Sequence, residues 1–250
     1  MEKSKKTALI KPIAEVAEKP IGSRLLKLQR RSLTEQLHEN LELRIVSGEL
    51  PPGSRLSEEF IAKEYATSRS PVRDVLATLE RDGLAERLGP RDRRVATPTK
   101  KFVFDTYETW IILEINRTFI SSLNAKPGDH EKIVKVLARM KDALDAKRAR
   151  EYASLAIAFP DLLHNRCDND QLISVLKDFE KYRRWLSALY LGEEDPSLMM
   201  LKEHHEIGQA YLGADLKALS VSIQDHVRKQ RDQVLQKLSY AETSRAAKEA

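Results

Sequence analysis

Cysteine occurs once in this 250-residue chain, at Cys167, so no disulfide can close within it and a zinc site built from several thiolates is excluded. A lone free cysteine is expected to pack as a small apolar residue. No run approaches the ~18 uninterrupted apolar residues of a membrane span, and the beginning of the chain lacks the compact apolar stretch of a secretory signal. The expectation is a cytoplasmic protein with no membrane partner. Also missing are the arrangements that carry catalysis: a nucleophile beside a paired base, a glycine-rich phosphate loop, or an HExxH pair of metal-binding histidines. Asp168 and Asp170 read as turn and cap residues. A protein that is not an enzyme is expected.

What the chain has is charge. Charged residues make up 32% of it and hydrophobic residues 41%, enough apolar material for one or two domains with real cores. The net charge of +5 is modest, so its distribution matters more than its size. Residues 1–31 hold nine Lys or Arg against three Glu and read as a basic arm, in keeping with disorder. A second basic cluster, "RLGPRDRR", occupies residues 87–94. Two such runs point to a polyanionic partner.

Between them lies the stretch "TSRSPVRDVLATLERDGL", residues 67–84. Val72, Val75, Leu76 and Leu79 recur at helical spacing and predict one buried stripe, with Ser70 as N-cap, Pro71 at the first helical position and Gly83 as the stop. Upstream, Leu33, Leu37, Leu41, Ile45 and Val46 predict another helix, with Ser32 and Glu35 placed as a capping box. After the turn "LPPGSRL", Ser57 is placed to cap a short helix whose Phe60, Ile61 and Tyr65 are expected to face inward. Helix, short turn, amphipathic helix is the arrangement of a helix-turn-helix, whose second helix meets base edges in the major groove. Arg69 and Arg73 lie off the apolar stripe at the N-terminal end of that helix. Cations there cost a few tenths of a kcal/mol against the helix dipole, whereas a bidentate arginine–guanine contact contributes ~1–3 kcal/mol of discrimination. "GLAERL" and "RRVATPT" then predict the two strands of a wing.

The run "SGELPPGSRLSEEFIAKEYATSRSPVRDVLATLERDGL" closely resembles the winged helix-turn-helix of GntR-type transcriptional regulators over roughly residues 33–97. The resemblance implies that Arg55, Arg69, Ser70 and Arg73 contact double-stranded operator DNA; in the wing, Arg94 is a further expected DNA contact, with Arg91 and Arg93 also within reach of the minor groove or phosphates. The wing tip departs from the family's glycine-rich turn, having "GPRDRR" instead.

Residues 100–238 show no strand alternation and read as six helices, roughly 102–125, 129–147, 150–166, 170–191, 196–213 and 215–238, with a tail from 239 to 250. The expected fold is therefore mainly α: a winged helix-turn-helix at 32–98 followed by an all-α six-helix bundle at 100–238. "YETWIILE", "AIAFPDLLHNRCDNDQL" and "EHHEIGQAYLGADLKALSVSIQDH" resemble the all-α FCD effector-binding domain of the family's FadR branch. That resemblance implies a homodimer, a small-molecule effector and a divalent metal held by one aspartate and three histidines. His204 and His226 match two of those ligands, but Ala156 and Pro160 stand where the other two would be. Asp161 and His164 lie one turn further on and offer substitutes; otherwise the two histidines serve as hydrogen-bonding groups of a polar pocket. Trp110 replaces the arginine expected to hold an effector carboxylate. An indole offers stacking area and one N–H, which points to an effector less anionic or more aromatic than a small organic acid.

Together these readings describe a metabolite-responsive repressor acting as a homodimer on a pseudo-palindromic operator, with Trp110, His204 and His226 in its effector pocket. The alternative is an architectural nucleic-acid-binding protein with a ligand-free helical domain. The base-reading arginines weigh against that alternative, because sequence-blind binding does not need them.

Overall fold

The computed structural model describes residues 32–90, 92–190 and 198–249; the basic arm at 1–31 and Arg91 lie outside them. The first helix, α1 (Leu33–Val46), buries Leu37, Leu41, Ile45 and Val46, the face its spacing predicts. Helix α2 (Glu58–Glu64) is capped by Ser57, whose hydroxyl accepts the Phe60 N–H at 3.3 Å. Ile61 is buried and Tyr65 half-buried, but Phe60 is 66% exposed, contrary to expectation. The inward side of this seven-residue helix is taken by Ile61 and Ala62, and Phe60 falls outside it.

Helix α3 (Arg69–Arg81) buries all four residues of its predicted stripe. Its start differs from the expectation: Ser68 is the N-cap, so Ser70 and Pro71 are the second and third helical residues. Proline is tolerated there because the first four N–H groups of a helix have no partner within it. At the other end Gly83 takes φ +70°, a conformation that favours glycine, and the chain turns into the wing.

The wing pairs β1 (Ala85–Gly89) with β2 (Asp92–Val95) in antiparallel register, irregular between Arg87 and Gly89. The segment before α2 extends the ladder. Arg55 bridges Arg94, Leu56 N–H donates to the Arg93 carbonyl and Val95 N–H to the Ser54 carbonyl. Alternation along β2 turns Arg93 and Val95 inward and leaves Arg94 half-exposed.

Six helices follow: α4 (Lys100–Leu123), α5 (Pro127–Asp145), α6 (Ala149–His164), α7 (Asp170–Tyr190), α8 (Leu198–Leu212) and α9 (Leu216–Glu249). The last runs eleven residues beyond the expected stop at 238. None is long and apolar enough to cross a membrane. Their core gathers Val103, Tyr107, Ile133, Met140, Phe159, Tyr211 and Val234 among others. In α8, Gly208 lets α5 come close, since a Cβ at that position would lie 2.8 Å from Leu137 Cδ1. Cys167 is buried and free.

Helix α7 belongs to both cores. Leu176 and Leu186 pack in the helical bundle, whereas Trp185, fully buried, lies in the core formed by α1, α3 and the wing. The same junction is fastened by polar contacts. Lys181 Nζ is 2.8 Å from an Asp82 carboxylate oxygen, and the Tyr182 hydroxyl donates to the Asp82 carbonyl at 2.9 Å.

Candidate nucleic-acid interface and helical-domain cavity

The start of α3 combines three features. It has no acidic residue in its first turn, its N-cap Ser68 makes no side-chain cap bond, and Arg69, Ser70 and Arg73 are all exposed. An uncapped helix N-terminus presents N–H donors and a positive dipole end, both suited to a phosphate. Arg69 and Arg73 are 61% and 63% exposed and lean on α2, Arg69 at 3.1 Å from Glu59 and Arg73 at 3.3 Å from Glu58. Exposed pairs of this kind are worth at most about 1 kcal/mol, so the arginines can leave them for a stronger anion. Beside the wing, Arg55 and Arg94 face one another across their backbone bridge and line a shallow concavity with Gly89, Pro90 and Asp92. Arg94 also pairs with Asp92 at 3.2 Å.

Arg93 departs from its expected role. Its side chain is 8% exposed, with Nη1 2.5 Å from Glu58 and Nε against Glu80. It ties β2 to α2 and α3 and is unavailable to an external phosphate. The signal was present in the sequence, because strand alternation that buries Val95 must also bury Arg93.

In the helical domain, α4, α6, α7, α8 and α9 line an open cavity of about 1190 Å³. Trp110, His204 and His226 all line it, as do Ala156 and Pro160. His204 is buried, stacked edge-on to Phe159 and 5.4 Å from the His226 ring, centroid to centroid. Burial first, then the neighbouring His226, push its pKa down to about 4, so it is neutral near pH 7, and its Nδ1 has no hydrogen-bond partner. Both nitrogens of His226 are engaged, Nδ1 with Glu203 at 2.7 Å and Nε2 with Gln230 at 3.2 Å.

These residues do not fit the metal site that the resemblance implies. Ala156 and Pro160 have no donor side chains, and His164 is turned to Glu114, its Nε2 2.6 Å from Oε1. Stable protein sites supply three or four ligands. Among the described residues, the one group of three metal-ligating side chains with close donor atoms is His38, Glu42 and Asp82, none of which lines this cavity. There Lys181 already supplies the cation, 2.8 Å from Asp82 and 3.7 Å from Glu42.

Two further lining residues escaped the sequence reading. Glu114 is deeply buried. Burial pushes its carboxyl up, but the charges of His164, Arg117 and Arg183 outweigh this and hold it below the usual carboxylate range. Its Oε2 has no hydrogen-bond partner. Arg183, from α7, lies over the Trp110 ring at 5.4 Å, and its Nε is buried without a hydrogen bond. Nothing in one sequence pairs position 183 with position 110. On the same wall, Tyr152 has its hydroxyl pushed up to about 12 by burial.

Residues 33–92 match the family described as "Bacterial regulatory proteins, gntR family", and residues 105–229 match the FCD domain. The gluconate operon transcriptional repressor of Bacillus subtilis (strain 168) is 30% identical over 190 residues, covering 72% of this chain and 75% of that protein. The B. subtilis HTH-type transcriptional regulator YdhC is 26% identical, covering 69% of this chain and 77% of its own. Among solved structures, E. coli McbR/YncC aligns with a TM-score of 0.60 at 18% identity, over 82% of this chain and 98% of that one. A putative GntR regulator from Rhodococcus sp. RHA1 gives the same TM-score and identity, over 81% and 97%. At that identity, these structures show a shared fold.

Proposed function

The chain belongs to the GntR family of bacterial transcriptional regulators and carries an FCD domain, and from that premise we propose that it is a repressor, acting in the cytoplasm as a homodimer on a pseudo-palindromic operator and released from it by a small metabolite. The DNA-binding unit spans residues 32–98 and the effector unit 100–238. The observation that carries the reading is the first turn of α3, where Arg69, Ser70 and Arg73 stand exposed opposite a fully buried stripe. A dimer sets two such helices about one DNA turn, roughly 34 Å, apart in successive major grooves. Arg69 and Arg73 read base edges, while Ser70, Arg55 and Arg94 hold phosphates.

Control by a metabolite is supported by the cavity and by α7. One side of this helix gives Glu180, Arg183, Arg184 and Ser187 to the cavity wall. Its Lys181, Tyr182 and Trp185 are fixed to the DNA-binding unit. A ligand that favours one setting of α7 thereby favours one setting of the DNA-binding unit, which is the differential interaction that allostery requires. The metal part of the family pattern is not carried over.

Selection of fragments from the source genome by the purified protein tests the proposal. At about 150 mM salt, counterion-driven binding is weakened and sequence-specific contacts decide recovery. Enrichment of a short inverted repeat is expected. Broad recovery with no shared motif refutes the proposal and leaves the architectural reading.

A further inference from the structure

We propose that Glu58 is a positioning residue for base readout: anchored by the buried Arg93, it holds one edge of the Arg73 guanidinium and so presents the other edge to a guanine. The inference rests on α3 reading operator DNA, and it adds the residue that sets how sharply one base is read. Glu58 lies outside α3, at the start of α2.

Two hydrogen bonds define the contact. Arg73 donates from Nε to Glu58 Oε1 at 3.4 Å and from Nη2 to Oε2 at 3.3 Å, so both prongs of one edge of the fork meet both carboxylate oxygens. A guanidinium carries its N–H groups in a fixed plane. With the Nε edge taken, the end-on pair of N–H groups on Nη1 and Nη2 remains, and that pair matches the O6 and N7 acceptors of a guanine. Arg73 need not give up Glu58 to read a base. Arg69 is held differently, meeting Glu59 through Nη2 alone at 3.1 Å, with both side chains mostly exposed.

Glu58 is itself fixed. It sits in the first turn of α2, after the Ser57 cap, where the helix dipole favours a carboxylate. Its Oε1 also accepts from Arg93 Nη1 at 2.5 Å, and Arg93 is tied through Nε to Glu80 of α3. Alternating charges therefore run from Glu80 through Arg93 and Glu58 to Arg73, buried at Arg93 and open to solvent at Arg73. The hydrogen bond from Arg73, joined by that from Arg93, outweighs burial and holds the Glu58 carboxyl below the ordinary carboxylate range, so it is charged near pH 7. An arginine that is free in solution loses rotamer freedom when it meets a base, and one already held in plane loses less. Support of this kind is what keeps a recognition group within the narrow geometry it needs.

The test uses the full chain and the inverted repeat recovered by the genomic selection, with each base pair of one half-site substituted in turn, in gel-shift competition at about 150 mM salt. Arg73→Ala identifies the base pair that Arg73 reads, as the one at which discrimination is lost. Glu58→Gln keeps an oxygen for Arg93 but cannot accept both prongs of Arg73. The expected result is a loss of about tenfold in discrimination at that same base pair, little change at the others, and no further loss when Glu58→Gln is added to Arg73→Ala. Glu58→Asp, which keeps the charge but draws it back by one methylene, should lose part of the discrimination, and it remains informative if Glu58→Gln does not fold. Equal tightening of every site by Glu58→Gln would mark an acid that only repels phosphate, and equal weakening of every site a tie that only holds the fold. Either result, or losses that add in full to those of Arg73→Ala, overturns the inference while leaving α3 as the reading helix. If no repeat is recovered, or Arg73→Ala flattens no base pair, the proposed reading by Arg73 fails and the inference fails with it.

Discussion

Replacing Arg93 with alanine separates a structural arginine from a DNA-contacting one. Arg93 is 8% exposed and bonds Glu58 of α2 and Glu80 of α3, each about one quarter exposed. Burial disfavours its charge, but the hydrogen bonds to Glu80 and Glu58 outweigh this and raise its pKa. Breaking a fully buried ion pair by removing one partner costs about 3–5 kcal/mol. Here each carboxylate keeps a weaker, exposed arginine, Arg73 for Glu58 at 3.3 Å and Arg87 for Glu80 at 3.5 Å, and both touch water. The expected loss is therefore lower, about 2–3 kcal/mol, confined to the DNA-binding unit. With a denaturant slope of about 1–2 kcal/mol/M for a unit of this size, the urea midpoint should fall by roughly 1–3 M. Trp185, in the core of that unit, provides the signal, and Trp110, the only other tryptophan, is replaced by phenylalanine to isolate it. A loss under about 0.5 kcal/mol accompanied by a tenfold, salt-sensitive drop in DNA affinity would refute the reasoning and place Arg93 on a phosphate.

Arg73→Ala, at an exposed position, should leave stability nearly unchanged and cost about 1–3 kcal/mol of binding at the preferred operator but little elsewhere, as gel-shift titrations on matched and scrambled sites would show. Trp185→Ala should destabilise the DNA-binding unit by about 3–5 kcal/mol and split calorimetric unfolding into two transitions; a single, uniformly lowered transition would contradict the placement of Trp185. For acid stability, the Arg166 guanidinium and the Lys126 N–H hold Asp129 at about 2, below its ordinary 3.8. A folded pKa below the unfolded one gives stability that is present above pH 3.8 and lost as pH falls towards 2, so the Tm gap between wild type and Asp129→Asn should close over that window. A gap constant with pH would show that the Asp129 charge contributes nothing.

What could be read from the sequence followed local periodicity. The stripe of Val72, Val75, Leu76 and Leu79 repeats at helical spacing, and all four are buried. The start of the same helix is ambiguous in the sequence, because Ser68 and Ser70 are both competent caps and proline is tolerated anywhere in a first turn. The charge of Arg93 points to solvent, whereas its alternation with Val95 places it in the interior. The cavity followed a different logic. Trp110, His204 and His226 were found by resemblance, but Arg183 and Glu114 matter through neighbours tens of residues away in sequence. No local pattern encodes the meeting of α4 with α7.

The place of Trp185 also bears on how such proteins can be recombined. A DNA-reading head with a self-contained interior could be cut at the linker and grafted onto another sensor. This one could not. A fragment ending near residue 98 would lack the indole that is part of its buried interior. Any chimera that keeps this head's interior must carry α7 with it, and with α7 comes part of the wall of the cavity proposed to receive the effector.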